Sequence, residues 1–187
     1  MEKRVLIGGF GGQGVQTMGK FLGHAANRAG IITTFFPAYG GEMRGGTSNC
    51  TVTVSDRPIG APNKSICDYV IAMNIPSFQR FERQIKPGGL FILNSDVILS
   101  EPTRKDISFV KVPVNTLADQ VGSERSLNVI MLGFFSEYTG FVPTEYCRDY
   151  VDNILGEYKP KYKEINATAF QLGVDYAKKL KAENGGG

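Results

Sequence analysis

The sequence predicts an α/β fold built on a mostly parallel sheet with flanking helices. Short apolar runs, typical of buried strands, alternate along the chain with segments whose apolar residues recur at a helical period. The first of these runs, residues 5–7, leads directly into a glycine-rich turn and then into a helix. A strand followed by a turn and a helix is the unit from which parallel sheets are assembled.

The remaining elements follow from the same patterns, taken in chain order. Strands are predicted at 5–7, 31–36, 47–55, 69–72, 90–93 and 109–112. Helices are predicted at 15–29, 77–84, 127–138, 144–155 and 161–181. Pro37 is expected to stop the second strand, Ser77 and Thr144 to cap their helices, and residues 87–89 to break the chain. The alternating segment 47–55 is expected to add an antiparallel strand.

Length and composition predict a single domain over residues 1–182, followed by a flexible tail at 183–187. The net charge of +3 is too small to indicate binding to nucleic acid or to an anionic membrane. No apolar run reaches membrane-spanning length and no signal peptide is visible, which predicts a cytoplasmic protein. Cys50, Cys67 and Cys147 lack metal-ligand spacing and are predicted to be free, buried thiols.

The turn after the first strand is the strongest functional signal. Five glycines fall within residues 8–14, so the backbone can adopt positive φ and another molecule can approach closely. The helix that follows leaves its first amides unpaired at the positive end of its dipole, which favours an anion. The loop at 39–46 follows the second strand, and we expect both loops at the same edge of the sheet.

Two nucleotide-binding motifs are only partly matched. Residues 9–14 fit G-x-G-x-x-G, but the second strand ends without the carboxylate that would hold a ribose, which disfavours NAD(P) and FAD. Residues 14–21 nearly match a P-loop, but Phe21 replaces the hydroxyl residue that binds Mg²⁺. Gly19 and Gly23 are instead expected to let the first helix pack closely on the sheet.

The charged and aromatic candidates leave several interpretations open. Lys20 either reaches back toward the turn or is solvated. Glu42 and Arg44, flanked by glycines, could form an ion pair, bind an anionic group or contact a subunit. Tyr39 could stack on a planar ligand or pack in an interface. No Ser–His–Asp, Cys–His or paired-carboxylate set stands out, so no catalytic residue is assigned.

The sequence resembles the gamma subunit of 2-oxoacid:ferredoxin oxidoreductases, in particular the 2-oxoglutarate type. The resemblance covers nearly the whole chain in order. It is carried by the following motifs: Gly9-x-Gly11-Gly12-Gln13-Gly14 with Thr17, Pro37-x-Tyr39-Gly40-x-Glu42-x-Arg44-Gly45-Gly46, Ser55-x-x-Pro58-Ile59-x-x-Pro62, Lys86-Pro87-Gly88-Gly89, Asn128-Val129-Ile130-Met131-Leu132-Gly133 and Asn166-x-x-Ala169-Phe170-x-x-Gly173.

This resemblance implies a Rossmann-like domain in an enzyme that converts a 2-oxoacid and coenzyme A to acyl-CoA, CO₂ and reduced ferredoxin or flavodoxin. It implies alpha-, beta- and delta-type subunits as partners, with thiamine diphosphate, Mg²⁺ and iron–sulfur clusters held by those subunits and none by this chain alone. The isolated chain is expected to be inactive and could self-associate through its exposed interface.

The resemblance also implies roles for particular residues. In fused relatives a lysine on the helix after the glycine turn contacts coenzyme A, and Lys20 matches its position. The predicted coenzyme-binding residues are therefore Gly11, Gly12, Gln13, Gly14, Thr17 and Lys20. The predicted interface residues are Tyr39, Glu42 and Arg44.

Alternatives to this interpretation are a stand-alone nucleotide- or flavin-binding module and a scaffold whose glycine turn serves only packing. Among substrates, 2-oxoglutarate is placed first, followed by pyruvate and branched-chain oxoacids, and aryl pyruvates stay open.

Overall fold

A computed structural model shows a six-stranded sheet flanked by helices on both faces. The structure describes residues 1–39, 47–61, 64–158 and 160–184, with the side chains of Tyr39 and Tyr158 outside that description. The strands are β1 (Glu2–Phe10), β2 (Ile32–Tyr39), β3 (Thr47–Ser55), β4 (Cys67–Ala72), β5 (Ile85–Asn94) and β6 (Ser108–Val112). Their order across the sheet is β2-β3-β1-β4-β5-β6.

The sheet is mostly parallel, as predicted. β1 pairs in parallel with β4, β4 with β5, and β5 with β6. β3 is antiparallel to both of its neighbours, β1 and β2, which confirms the predicted antiparallel strand. Because β3 lies between them, β2 runs in the same direction as β1.

The helices follow the predicted alternation with strands. They are α1 (Val15–Arg28), α2 (Ile75–Phe81), α3 (Val114–Val121), α4 (Leu127–Thr139), α5 (Thr144–Asp149), α6 (Gly156–Tyr158) and α7 (Lys163–Asn184). A π-helical turn, Tyr150–Leu155, joins α5 to α6. No described helix has the length and apolar character needed to cross a bilayer.

Each face of the sheet carries its own apolar core, because successive residues of a strand point to opposite faces. Val5 and Ile7 of β1 pack with the buried faces of α1, α3, α4 and α7. Leu6 packs on the other face, beneath Phe78 and Phe81 of the α2 segment. The two cores hold β1 between them, so the turn at its end is anchored by a strand that is buried on both faces.

Two predicted strand ends were wrong. β2 continues through Pro37 to Tyr39 and keeps its register, with Pro37 opposite Cys50. Proline is tolerated there because β2 is an edge strand with no partner on its outer side. β5 also continues through residues 87–89, where the pairing with β4 shifts register and Gly88 takes φ +74°.

Four helices also differ in detail from the prediction. α2 begins two residues early because Asn74, not Ser77, is its N-cap, and Asn74 Oδ1 accepts a hydrogen bond from the Ser77 amide at 2.9 Å. Thr144 is the first residue of α5 rather than its cap. α3 is missing from the prediction altogether. α7 ends at Asn184 and so includes the first two residues of the predicted tail.

α4 and α7 cross at two glycines, Gly133 and Gly173. A Cβ on Gly133 would overlap the carbonyl oxygen of Phe170, and one on Gly173 would overlap that of Ile130. The two helices are therefore packed backbone against backbone. This crossing explains the glycines at the ends of the last two motifs quoted above.

Candidate functional site

The two loops singled out by the sequence leave the sheet at one edge. Gly9 of β1 pairs with Ser48 of β3, and Ser48 pairs with Tyr39, the last residue of β2. The glycine turn and the segment after Tyr39 therefore start from neighbouring strand ends, as predicted. Glu42 and Arg44 lie outside the described residues, as does the Tyr39 side chain, so their predicted interface role stays a prediction.

Gln13 holds the glycine turn in shape. Its Oε1 accepts a hydrogen bond from the Phe10 amide at 2.8 Å, and its Nε2 donates to the carbonyl of Met73 at 3.1 Å. The side chain thus ties the end of β1 to the end of β4. From these two neighbouring strand ends the chain continues to opposite halves of the sheet, toward β2 and β3 after β1 and toward β5 and β6 after β4. Both polar atoms of the amide are engaged within the chain, which gives Gln13 a positioning role in the turn.

Gly14 makes the junction between the turn and α1. It adopts φ +70°, and a Cβ there would lie 2.7 Å from the side chain of Asn128. Gly14 is also the N-cap of α1 and has no side chain with which to cap the helix, so the first amides of α1 keep no intrahelical acceptor. The turn therefore ends in an open, electropositive helix start.

Gly11 and Gly12 face open space. Both are exposed, and a Cβ built on either one meets no atom of the described chain within 4 Å. Packing against the described residues does not require the absence of side chains here. It leaves the backbone of the turn accessible to a molecule outside this chain.

Gln16, which the sequence analysis missed, ties α1 to the neighbouring loop. Its Nε2 donates to the carbonyl of Asn49 at 2.7 Å and to the Ser48 hydroxyl at 3.1 Å, and lies 3.5 Å from the carbonyl of Ala38. The first turn of α1 is thereby fixed to the strand ends that flank 40–46. A glutamine in a first helical turn is usually solvated, so no sequence signal marked it.

Thr17 and Lys20 are exposed on successive turns of α1. Thr17 lines a cavity of about 110 Å³ that we call the α1–α4–α7 cavity, and Lys20 does not line it. Three further polar residues of this cavity, Arg125, Asn128 and Asn166, were missed as site residues. A signal existed for Asn128, because a polar residue at the start of the apolar run 127–138 is out of place in a buried helix.

The predicted binding residues thus lie together at one end of the molecule. Gly11 and Gly12 form the open part of the turn, Gln13 and Gly14 shape it, and Thr17 follows on α1. No contact in the structure tests whether they bind coenzyme A. Their assignment stays a prediction for which the geometry supplies an open helix start.

The cysteines are free and buried, as predicted. Burial raises the pKa of Cys50, Cys67 and Cys147 to about 12. Within the described ranges, no three His, Cys, Asp or Glu side chains are grouped closely enough to hold a metal ion.

Comparisons with known proteins agree with the resemblance. The family model described as pyruvate ferredoxin/flavodoxin oxidoreductase matches residues 4–176. The chain is 36% identical to ketoisovalerate oxidoreductase subunit VorA of Methanothermobacter marburgensis over 95% of its own length, but spans only 37% of VorA. It is 32% identical to 2-oxoglutarate synthase subunit KorC of the same organism, covering 92% of this chain and 95% of KorC.

Solved structures agree with the fold. The gamma subunit of a keto/oxoacid ferredoxin oxidoreductase from Geobacter sulfurreducens superposes with a TM-score of 0.83 at 27% identity, covering 95% of this chain and 97% of the other. A 2-oxoglutarate:ferredoxin oxidoreductase from Magnetococcus marinus gives 0.85 at 24% identity, covering 95% of this chain and 31% of that one. The chain therefore belongs to the pyruvate ferredoxin/flavodoxin oxidoreductase family.

Proposed function

We propose that this chain is the gamma subunit of a multi-subunit 2-oxoacid:ferredoxin oxidoreductase. The observation that carries the proposal is the match to KorC, a protein named as a subunit, along 92% of this chain and 95% of that one. The enzyme would oxidatively decarboxylate a 2-oxoacid with coenzyme A to acyl-CoA and CO₂ and pass the electrons to ferredoxin or flavodoxin. Alpha-, beta- and delta-type subunits would be its partners.

The proposed substrate is 2-oxoglutarate. KorC is matched over almost its entire length, whereas the match to VorA spans 37% of that protein. Ketoisovalerate is the next candidate, because VorA is named for it. Assay of the assembled enzyme with 2-oxoglutarate, ketoisovalerate and pyruvate would test the order, and a kcat/KM highest for ketoisovalerate or pyruvate would contradict it.

The electron chemistry is assigned to the other subunits. Thiamine diphosphate, Mg²⁺ and iron–sulfur clusters would lie there, and this chain would assemble with those subunits and cover the coenzyme. Its own contribution is binding and orientation. The open turn at Gly11 and Gly12 lets a phosphate group approach the backbone, and the first amides of α1 are donors aimed at an anion.

Lys20 is proposed to add a positive charge on this side of α1. It is exposed, and it forms no hydrogen bond or ion pair with any described residue. Loss of one charge-assisted contact to a phosphate should weaken binding by roughly tenfold. The Lys20→Ala variant of the assembled enzyme should therefore raise the apparent KM for coenzyme A about tenfold.

The matched control is Lys178→Ala, which removes an exposed lysine from α7. It should leave the KM for coenzyme A unchanged. If Lys20→Ala also leaves this KM unchanged, the assignment of Lys20 is wrong.

The interface proposal is tested separately. Arg44→Ala should reduce the amount of alpha-type subunit that copurifies with this chain. Arg57→Ala, an exposed arginine just after β3 at the other end of the sheet, is the control. Undiminished copurification of the Arg44 variant would remove Arg44 from the interface.

A further inference from the structure

The α1–α4–α7 cavity lies where three helices begin. Thr17 is in the first turn of α1, Asn128 in the first turn of α4, and Asn166 in the first turn of α7. The helices are 14, 13 and 22 residues long. The positive ends of three helix dipoles therefore converge on one small space, which favours a negative charge there.

Two largely buried side chains in this cavity have no hydrogen-bond partner among the residues that the structure describes. Asn128 and Asn166 are each only 8% exposed, and neither side chain hydrogen-bonds to another residue of the described chain. Their polar atoms are nevertheless open to the cavity rather than sealed from solvent, so a partner that enters from outside can reach them. Each carboxamide carries two N–H donors beside its acceptor oxygen.

The charge of the lining is positive. Of the described residues that line the cavity, Arg125 alone carries a formal charge. Arg125 is exposed and is engaged in no ion pair with any residue that the structure describes. Its guanidinium is free to close over an oxyanion from the solvent side.

The size of the cavity limits the ligand. Sites for whole cofactors occupy roughly 300 Å³ or more, whereas this cavity measures about 110 Å³. The cavity can hold one group the size of a phosphate, together with the hydrogen bonds that this group accepts from the lining. The lining side chains Thr17, Asn128 and Asn166 come from three different helices, which suits a tetrahedral oxyanion better than a planar carboxylate.

The geometry points to a binding site for a single phosphate group at Thr17, Arg125, Asn128 and Asn166. The phosphate is either free inorganic phosphate or one phosphate of a larger carrier. The site shares Thr17 and the first turn of α1 with the proposed coenzyme site, so a carrier phosphate as its ligand rests on the proposed function, whereas free phosphate does not.

The test is a titration of the full chain with inorganic phosphate at constant ionic strength, followed by heteronuclear NMR. The expected result is saturable shifts at the amides of Gly14–Thr17 and at the side chains of Asn128 and Asn166. Arg125→Gln should weaken phosphate binding at least about tenfold. Asn128→Asp, which places a carboxylate in the cavity, should abolish it.

Arg83→Gln is the matched control, because it removes an exposed arginine from the turn after α2. It should leave phosphate binding unchanged. An equal loss in the Arg83 variant would show general charge attraction and overturn the site, as would tighter binding of acetate than of phosphate. Absence of saturable shifts in the unmodified chain would also overturn it.

The source of the phosphate is decided by competition. Displacement of inorganic phosphate by coenzyme A, and not by pantetheine, would support the site with a carrier phosphate as its ligand. Failure of coenzyme A to displace saturably bound phosphate would support the site with free phosphate as its ligand. Neither result depends on whether the chain assembles with other subunits.

Discussion

Glycines occur in this molecule for two opposite reasons, seen in the α4–α7 crossing and in the turn after β1. At the crossing, a Cβ on Gly133 or Gly173 would overlap a backbone carbonyl of the other helix. In the turn, a Cβ on Gly11 or Gly12 would meet nothing within 4 Å in the described chain. The first pair is required by the fold itself. The second pair leaves space that no described residue fills.

The difference shows that the local sequence does not reveal why a glycine is present. Both pairs lie in motifs that carry the family resemblance, the first inside two helices with buried faces and the second directly after a buried strand. Only the space around each missing Cβ separates a packing role from a binding role. Substitution by alanine should therefore affect stability at one pair and ligand binding at the other.

The largest effect is expected for Gly133→Ala. The added methyl group meets backbone rather than a movable side chain, so α4 and α7 must separate along their buried faces. Overpacking of this kind costs about 3 kcal/mol or more. Urea unfolding should show a free energy of unfolding lower by at least that amount, and a loss below about 1 kcal/mol would contradict the close crossing.

A smaller loss is expected for Gly14→Ala. The substitution forces a side chain into φ +70° and against Asn128 at 2.7 Å, which together should cost about 2 kcal/mol. A double-mutant cycle with Asn128→Ala separates the two causes. Removal of the Asn128 side chain should recover about half of the loss, and no recovery would contradict the contact.

Gly19 and Gly23 of α1 give the clearest comparison between two glycines, because both were predicted to pack closely on the sheet. A Cβ on Gly19 would lie 2.5 Å from Cys50 Sγ and 2.8 Å from Phe35, which confirms the prediction for Gly19. A Cβ on Gly23 would meet nothing within 4 Å in the described chain, so the prediction was wrong there.

Thermal or urea unfolding of the two variants tests this contrast. Gly19→Ala should destabilise the chain by about 1–2 kcal/mol through overpacking. Gly23→Ala should stabilise it by about 0.5–1 kcal/mol, because alanine favours the helix. Changes of the same sign in both variants would contradict the assigned contacts.

The smallest effect is expected for the thiols, which lie inside the fold. Burial raises the pKa of Cys50, Cys67 and Cys147 to about 12, so at pH 8 almost no thiolate is present in the folded chain. An Ellman titration should detect almost no reaction in native buffer and three thiols in denaturant. A thiol that reacts rapidly in the folded chain would contradict its burial.

Much of the fold could be predicted from the sequence, because the buried strands are apolar runs with little ambiguity. The failures occur where tertiary context overrides a local signal. Pro37 does not end β2 because an edge strand can lose a hydrogen-bond donor. α3 was missed because its eight residues include Asn115, Thr116 and Asp119, which are weak helix formers.

The site was only partly predictable. The glycine turn and its position at the sheet edge follow from local patterns, and the structure confirms both. The α1–α4–α7 cavity could not be predicted from local patterns. Its residues Thr17, Asn128 and Asn166 are far apart in the chain and meet only because three helices begin at one place. Gln16 is similar, since its partners belong to two other strands.

The central claim is that the open turn binds a group of the coenzyme rather than serving the fold. The most direct test is the apparent KM for coenzyme A of the assembled enzyme carrying Gly12→Ala. We expect this KM to rise at least about fivefold, because the new methyl group occupies the approach to the backbone. The free energy of unfolding should change by less than about 0.5 kcal/mol. An unchanged KM in a stable, fully assembled Gly12→Ala enzyme would contradict the claim.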